Sequence, residues 1–312
     1  MSKIKMTNHK NTTVKTAFDR FLIAVSARGV KDKTLCTYRS HFKAISKRLD
    51  VEIPIEKLTK SDLELMINNM NNDGLSSQSI NSYTRTLKVF FSWCNDEGFT
   101  NLNIPLYKTQ ETVKDVYTDE ELLLLLKKPK ANCSFCEYRN WTIVNFLMNS
   151  GCRASTIRNI QIQDIDLIHS IVSLRHTKNR KVQVIPLCQS MLVILKEYMA
   201  IRGGETTDYL FCTEYGKQLS ESGLRQAIEI YNTNRGVKKT SIHQFRHTFA
   251  KKYLIDCGGN AFTLQRLLGH STLNMTRHYC NIYNADIVKN YDRFSPLAQI
   301  NSLNKKTITK NK

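Results

Sequence analysis

Basic side chains are concentrated on one side of a predicted helix near residue 245. Phe245 and Phe249 lie on its apolar side, whereas His243, Arg246 and His247 fall within roughly a 100° arc on the other. Two explanations stay open at this point. Either Arg246 pairs with an acidic residue and the histidines have no function, or His243 and His247 ligate zinc. The zinc hypothesis is disfavoured because no glutamate follows His243, as the H-E-x-x-H pattern of metallohydrolases requires.

The net charge of the chain indicates a polyanionic partner. The 312 residues contain 46 Lys and Arg against 27 Asp and Glu, which gives a net charge of +19. Nucleic acid is favoured, because a phosphate polymer rewards many basic side chains through counterion release. A membrane surface is disfavoured, since no strongly amphipathic basic helix with a bulky aromatic face is evident.

Composition excludes several other classes of protein. With 41% hydrophobic and 23% charged residues the chain is predicted to be globular. The longest aliphatic runs, 122–126 and 191–195, are far shorter than the roughly 20 residues of a membrane span, and no secretory signal is evident, so a cytoplasmic protein is expected. The nine cysteines are expected to be reduced thiols, and the single CxxC, Cys133 and Cys136, lacks a second ligand pair for zinc.

Apolar residues at helical spacing predict a compact four-helix unit in the first hundred residues. Three stripes lie at 17–25, 35–49 and 80–91. A capping box of Thr59 and Asp62 opens the remaining helix.

The second half begins with another capping box, Thr118 with Glu121, directly ahead of a leucine run. A helix is predicted around 138–149, and two short strands flank a polar turn at 177–180. Helices resume after Pro186. The predicted fold class is therefore mainly α with a small antiparallel β-sheet.

Domain boundaries follow from the loss and return of periodicity. Residues 101–117 lose helical spacing and mix charges of both signs, which indicates a linker. The predicted organisation is a flexible N-terminus at 1–11, a helical domain at 12–100, a second domain at 118–300 and a basic tail at 301–312.

A more specific pattern follows the basic helix. In LLGHSTLNMTRHY, His270 comes directly after a glycine and Tyr279 follows nine residues later. Together with HQFRHTF, this segment resembles the C-terminal signature of the tyrosine recombinases, the phage-integrase and Xer group of site-specific DNA recombinases. SGCR, ending at Arg153, resembles the first-arginine motif of that family, and TKNRKVQVIPL resembles its hairpin with Lys178. The resemblance covers about residues 118–295, and the helical N-terminal unit looks like the core-binding domain of the family.

The resemblance implies a catalytic set of Arg153, Lys178, His243, Arg246, His270 and Tyr279. Tyr279 would attack a DNA phosphate and form a 3′-phosphotyrosyl bond, with His243 as a nearby base. The two arginines would bind the nonbridging oxygens and offset charge in the transition state. Lys178 would protonate the leaving 5′ oxygen, and His270 would hydrogen-bond the phosphate.

Basic residues around the predicted catalytic lysine, namely Arg175, Arg180 and Lys181, are expected to contact the DNA backbone. Thr156 stands where the family usually has an acidic residue, three positions after the first arginine. The orientation of Arg153 must then come from another contact.

The resemblance also implies partners and cofactors. The expected partner is double-stranded DNA, with a homotetramer assembled on paired recombination sites and accessory DNA-binding proteins as further partners. Residues 282–294 are expected to dock on a neighbouring protomer or to pack on their own domain, and both alternatives stay open. Neither a cofactor nor a metal is expected, because the covalent intermediate conserves the bond energy. The alternative function is a catalytically silent DNA-binding regulator with the same fold, which would have no use for Tyr279.

Overall fold

The computed structural model describes residues 11–107, 115–175 and 182–270, together with Thr272, Thr276, Ser295, Leu297 and Ile300. The chain divides into two compact units, Met1–Thr112 and Val113–Lys312. The predicted fold class is confirmed, since the described residues are mainly helical with a three-stranded antiparallel sheet. None of the helices in the described ranges has the length and apolar character needed to cross a membrane.

Several predictions from the sequence concern residues outside the described ranges. They are most of the flexible N-terminus (1–10), part of the linker (108–114), the polar turn (177–180), the docking segment (282–294) and the basic tail (301–312). These predictions, and the exact domain boundaries, stay predictions.

The described part of the N-terminal unit contains four α-helices around an aromatic core. They are α1 (Val14–Ala27), α2 (Asp32–Ile45), α3 (Lys60–Asn72) and α4 (Ser77–Asp96). Phe18 of α1 stacks on Phe42 of α2 with ring centroids 3.9 Å apart and meets Phe90 of α4 edge-on at 5.3 Å. The predicted capping box of Thr59 and Asp62 is confirmed at the start of α3.

The second apolar stripe extends beyond the helix that it predicts. Helix α2 ends at Ile45, and a turn follows in which the backbone N–H of Leu49 donates to the Ile45 carbonyl at 3.0 Å. Leu49 is nevertheless buried. The turn therefore returns this side chain to the core without extending the helix.

The second unit contains seven α-helices in the part of the chain that is described, besides a 3-10 turn at Ile162–Asp164 and a π-helical turn at Lys252–Asp256. The α-helices are α5 (Asp119–Leu126), α6 (Phe135–Ser150), α7 (Ala154–Ile157), α8 (Gln189–Arg202), α9 (Glu221–Asn234), α10 (Ile242–Lys251) and α11 (Ala261–Leu268). Helix α6 is central, because α5, α8, α9 and α10 all pack against it. The predicted capping box of Thr118 and Glu121 is confirmed ahead of α5.

The sheet is formed by β1 (Ile165–Asp166), β2 (Ile171–Leu174) and β3 (Gln183–Pro186) in that order. The two predicted strands pair antiparallel, with Leu174 opposite Gln183. The pairing of β1 with β2 is not evident from the sequence, because two residues are too few to show alternation.

Helix α6 ends at a glycine that two other elements approach closely. Gly151 adopts the left-handed conformation, with φ of 58°, and its N–H donates to the Leu147 carbonyl. A Cβ atom at this position would lie 2.9 Å from Phe249 Cγ and 2.8 Å from Leu268 Cδ2. Glycine therefore satisfies both the backbone conformation and the packing of α10 and α11.

Replacement of Gly151 tests this packing. Gly151→Ala should lower the free energy of unfolding, measured by urea titration, by more than Gly216→Ala does. Both positions have positive φ, for which an L side chain costs about 1–2 kcal/mol, but no atom lies within 4 Å of a Cβ at Gly216. Equal losses in the two variants would contradict the packing argument.

Candidate active site

The guanidinium of Arg246 is the buried centre of the candidate site. Helix α10 carries it inward because the neighbouring Phe245 is fully buried and packs against Tyr117, with ring centroids 4.3 Å apart and the rings tilted by 31°. Arg246 is only 6% exposed, and it donates to the carbonyls of Gly151 at 2.9 Å and Leu268 at 3.0 Å. These carbonyls lie at the C-terminal ends of α6 and α11, where the helix dipoles stabilise a positive charge.

His270 accepts a hydrogen bond from Arg246. Its Nε2 lies 2.7 Å from Arg246 Nη2, and a guanidinium can only donate, so Nε2 carries no proton. Nδ1 therefore holds the proton of the neutral ring and donates to Thr276 Oγ1 at 2.8 Å. Burial and then the positive charges of Arg246 and Arg153 lower the pKa of His270 to about 4, in agreement with a neutral ring.

The position of His270 follows from the end of α11. Gly269 adopts the left-handed conformation with φ of 62°, and the backbone N–H of His270 turns back to donate to the Gln265 carbonyl at 3.0 Å. This Schellman-type end reverses the chain directly before the imidazole. The glycine that precedes His270 in the sequence is thus part of the turn that positions it.

Arg153 lies at the N-cap of α7, two residues after the carbonyl of Gly151 that binds Arg246. Within the described part of the chain, its guanidinium makes no hydrogen bond or ion pair. Its positive charge contributes to the lowered pKa of both His243 and His270. Thr156, where the family usually has an acid, is buried, and its backbone N–H donates to the Arg153 carbonyl.

His243 lies in the first turn of α10, on the solvent side. Partial burial and then the positive charges of Arg246 and Arg153 lower the pKa of His243 below its usual value. The ring borders an open cleft of about 670 Å³, which Ser241 and Arg225 also line. A neutral imidazole at such a cleft is able to accept a proton from a bound group.

Of the remaining predicted site residues, only Arg175 lies within the described part of the chain. Arg175 is half-exposed, and its Nε lies 2.8 Å from Oδ1 of the buried Asp164. Lys178, Tyr279, Arg180 and Lys181 lie outside the described residues. Their roles, and the DNA contact of Arg175, stay predictions.

The sequence did not single out three residues that contact a predicted site residue or the end of α11. Thr276 accepts from His270, Gln183 of β3 donates to carbonyls of α11, and Asp164 pairs with Arg175. Thr276 and Gln183 both occur within segments that carry the resemblance, LLGHSTLNMTRHY and TKNRKVQVIPL, which is the only signal that could have indicated them. No group of three or more potential metal ligands occurs among the described residues.

Comparison with known proteins covers both units. The family model described as "Phage integrase family" matches residues 115–285, and "Phage integrase, N-terminal SAM-like domain" matches residues 17–98. Tyrosine recombinase XerC of Thermodesulfovibrio yellowstonii is 27% identical over 287 residues, which cover 87% of this chain and 93% of that protein. Tyrosine recombinase XerD of Staphylococcus epidermidis is 26% identical over 283 residues, covering 87% and 95%.

Solved structures show the same fold at lower identity. A lambda integrase dimer bound to a COC′ core site superposes with a TM-score of 0.70 at 22% identity, covering 87% of this chain and 78% of that chain. The Tn1549 transposon integrase in complex with transposon right end DNA gives a TM-score of 0.71 at 19% identity, covering 86% and 94%. Because the catalytic-domain model alone matches more than half of the chain, the protein belongs to the phage integrase family.

Proposed function

We propose that this protein is a tyrosine-type site-specific DNA recombinase, which cuts one DNA strand through a 3′-phosphotyrosyl intermediate and rejoins it to a partner strand. Membership of the phage integrase family supports this function. The observation that carries it is the cluster where α10 meets the C-terminal ends of α6 and α11, in which a buried Arg246 contacts His270 and the charge of Arg153 acts on both histidines.

The two arginines bind the scissile phosphate in this proposal. A phosphodiester is anionic and gains negative charge on its nonbridging oxygens as the nucleophile attacks. The hydrogen bonds of Arg246 to two helix ends hold its guanidinium in place before DNA binds, so little reorganisation is needed. Arg153 is half-buried and supplies the second guanidinium.

Proton transfer accompanies the attack on phosphorus. The phenol oxygen of Tyr279 forms the new bond to phosphorus and passes its proton to neutral His243, whose lowered pKa favours the base form at neutral pH. The bond from phosphorus to the 5′ oxygen breaks, and Lys178 donates a proton to that oxygen. Religation follows the same steps in reverse, with no cofactor and no metal ion.

His270 supports Arg246 in the DNA-free protein, because its Nε2 accepts from the guanidinium. Its predicted hydrogen bond to the phosphate then requires Nδ1–H to exchange the Thr276 hydroxyl for a phosphate oxygen. This exchange leaves the contact to Arg246 intact.

The proposed assembly has four protomers on two double-stranded recombination sites. A lambda integrase tetramer bound to a Holliday junction has the same fold as this chain, with a TM-score of 0.70, and supports this arrangement. Arg175, Arg180 and Lys181 contact the DNA backbone, and accessory DNA-binding proteins assist assembly. A cytoplasmic location is part of this proposal, and the similarity to the Xer recombinases of two bacteria supports it.

The nucleophile is tested by Tyr279→Phe. On candidate site DNA with a nick that traps the intermediate, this variant should bind normally in a gel shift yet form no protein–DNA adduct on a denaturing gel. Tyr215→Phe is the matched control, because Tyr215 is 80% exposed in the same unit, and it should form adduct as the wild type does. Adduct formation by Tyr279→Phe would refute the assignment, and absence of adduct from the wild type on every substrate it binds would favour a silent regulator.

The general acid is tested by Lys178→Ala. Cleavage should fall on ordinary DNA but recover on a substrate with a bridging 5′ sulfur, because a thiolate leaves without protonation. The surface variant Lys217→Ala should cleave both substrates at the wild-type rate. Equal loss of cleavage on the two substrates by Lys178→Ala would exclude the acid role.

The electrostatic coupling between Arg246 and His270 is tested by NMR titration of the histidine rings. In the wild type His270 should titrate near pH 4, with its proton on Nδ1 at pH 7. Arg246→Met removes a nearby positive charge, so the pKa of His270 should rise toward its usual value of 6.5. An unchanged pKa in that variant would show that burial and Arg153, and not the charge of Arg246, set the protonation state of His270.

A further inference from the structure

Gln183 joins the sheet to the last turn of α11. It is the first residue of β3, and its Nε2 donates to the carbonyls of Arg266 at 2.8 Å and Leu267 at 2.5 Å. The last carbonyls of a helix have no partner within the helix, and an amide side chain from another element is able to satisfy them. Gln183 thus acts as a C-terminal cap that reaches α11 from the sheet.

The cap packs closely against the turn that carries His270. A Cβ atom on Gly269 would lie 2.5 Å from Gln183 Oε1. Glycine at this position therefore allows both the left-handed turn and the approach of the Gln183 amide. A displacement of Gln183 therefore moves Gly269, the residue that directly precedes His270.

The next carbonyl of the same helix end binds the active-site arginine. Leu268 follows the two residues that Gln183 caps, and its carbonyl accepts from Arg246 Nη2 at 3.0 Å. The same Nη2 donates to His270 Nε2 at 2.7 Å. Gln183 from β3 and Arg246 from α10 therefore hold the same helical turn from two sides.

We propose that Gln183 is a positioning residue for Arg246 and His270: by capping α11 from the sheet, it holds the Leu268 carbonyl and the His270 ring where they orient the guanidinium. This inference rests on the proposed function, since it concerns how the phosphate-binding arginine is held. Gln183 does not touch the phosphate, and it acts through the end of α11.

The substitutions that test this are Gln183→Met, which keeps the length of the side chain but removes the donor, and Gln183→Glu, which replaces the donor with an anionic acceptor facing two carbonyls. At saturating protein on nicked site DNA, both should slow adduct formation by about tenfold to a hundredfold, as expected when a catalytic group is misplaced. Gel shift on the same DNA should show binding close to that of the wild type.

A second substrate separates positioning of the arginine from general loss of structure. A methylphosphonate at the scissile position has a methyl group in place of one charged oxygen, so a guanidinium has little charge to offset there. Both Gln183 variants should therefore lose far less activity on methylphosphonate than on phosphate. The ratio of the two rates, measured on one protein preparation, does not depend on the fraction of folded protein. Gln183→Met therefore tests the positioning role even if Gln183→Glu folds poorly.

Gln189→Glu is the matched control for Gln183→Glu, because it makes the same change from amide to carboxylate at an exposed position on α8. Its ratio of adduct-formation rates on phosphate and methylphosphonate should equal that of the wild type. If the wild type forms adduct and the Gln183→Met ratio is unchanged, the positioning role is overturned while the proposed function stands. If the wild type forms no adduct on either substrate, the proposed function fails and this inference fails with it.

Discussion

The buried guanidinium of Arg246 is the interaction on which the candidate site depends. Burial of a positive charge is costly, and this charge is offset by carbonyls at the C-terminal ends of two helices, α6 and α11. Each hydrogen bond also fixes where a helix end lies relative to α10. The arginine therefore organises the local packing of the second unit as well as its proposed chemistry, and its substitution should affect both.

Two glycines make this convergence sterically feasible. Gly151 ends α6 where Phe249 and Leu268 leave no room for a Cβ, and Gly269 ends α11 where Gln183 leaves none. Both have positive φ, so each reverses the chain within one residue. As a consequence, Arg153 follows the first turn and His270 follows the second, and both side chains enter the site directly after a helix end.

Burial and the positive charges of Arg246 and Arg153 lower the pKa values of the two site histidines, His243 and His270. Both rings are therefore neutral at physiological pH. In the proposed reaction a neutral His243 is able to accept the tyrosine proton. A neutral His270 with its proton on Nδ1 is able to accept a hydrogen bond from Arg246 at Nε2 and to donate another from Nδ1 to an oxygen. The charge of the whole chain, +19, favours DNA by the same electrostatics over longer distances.

The sequence by itself determined most helices and two of the capping boxes, because these depend on residues a few positions apart. It indicated the family through the order of several short motifs along the chain. The apolar stripe through Leu49 predicted a helix that is too long. Leu49 is buried at helical spacing from Ile45, but it lies in the turn that follows α2. Residue type and order identified Arg153, His243, Arg246 and His270 as candidates. Only the tertiary structure decided which carbonyls bind Arg246, which nitrogen of His270 carries the proton, and that Gln183 caps α11. Those contacts join residues far apart in the chain, and their geometry depends on how α6, α10, α11 and β3 pack, which no local pattern encodes.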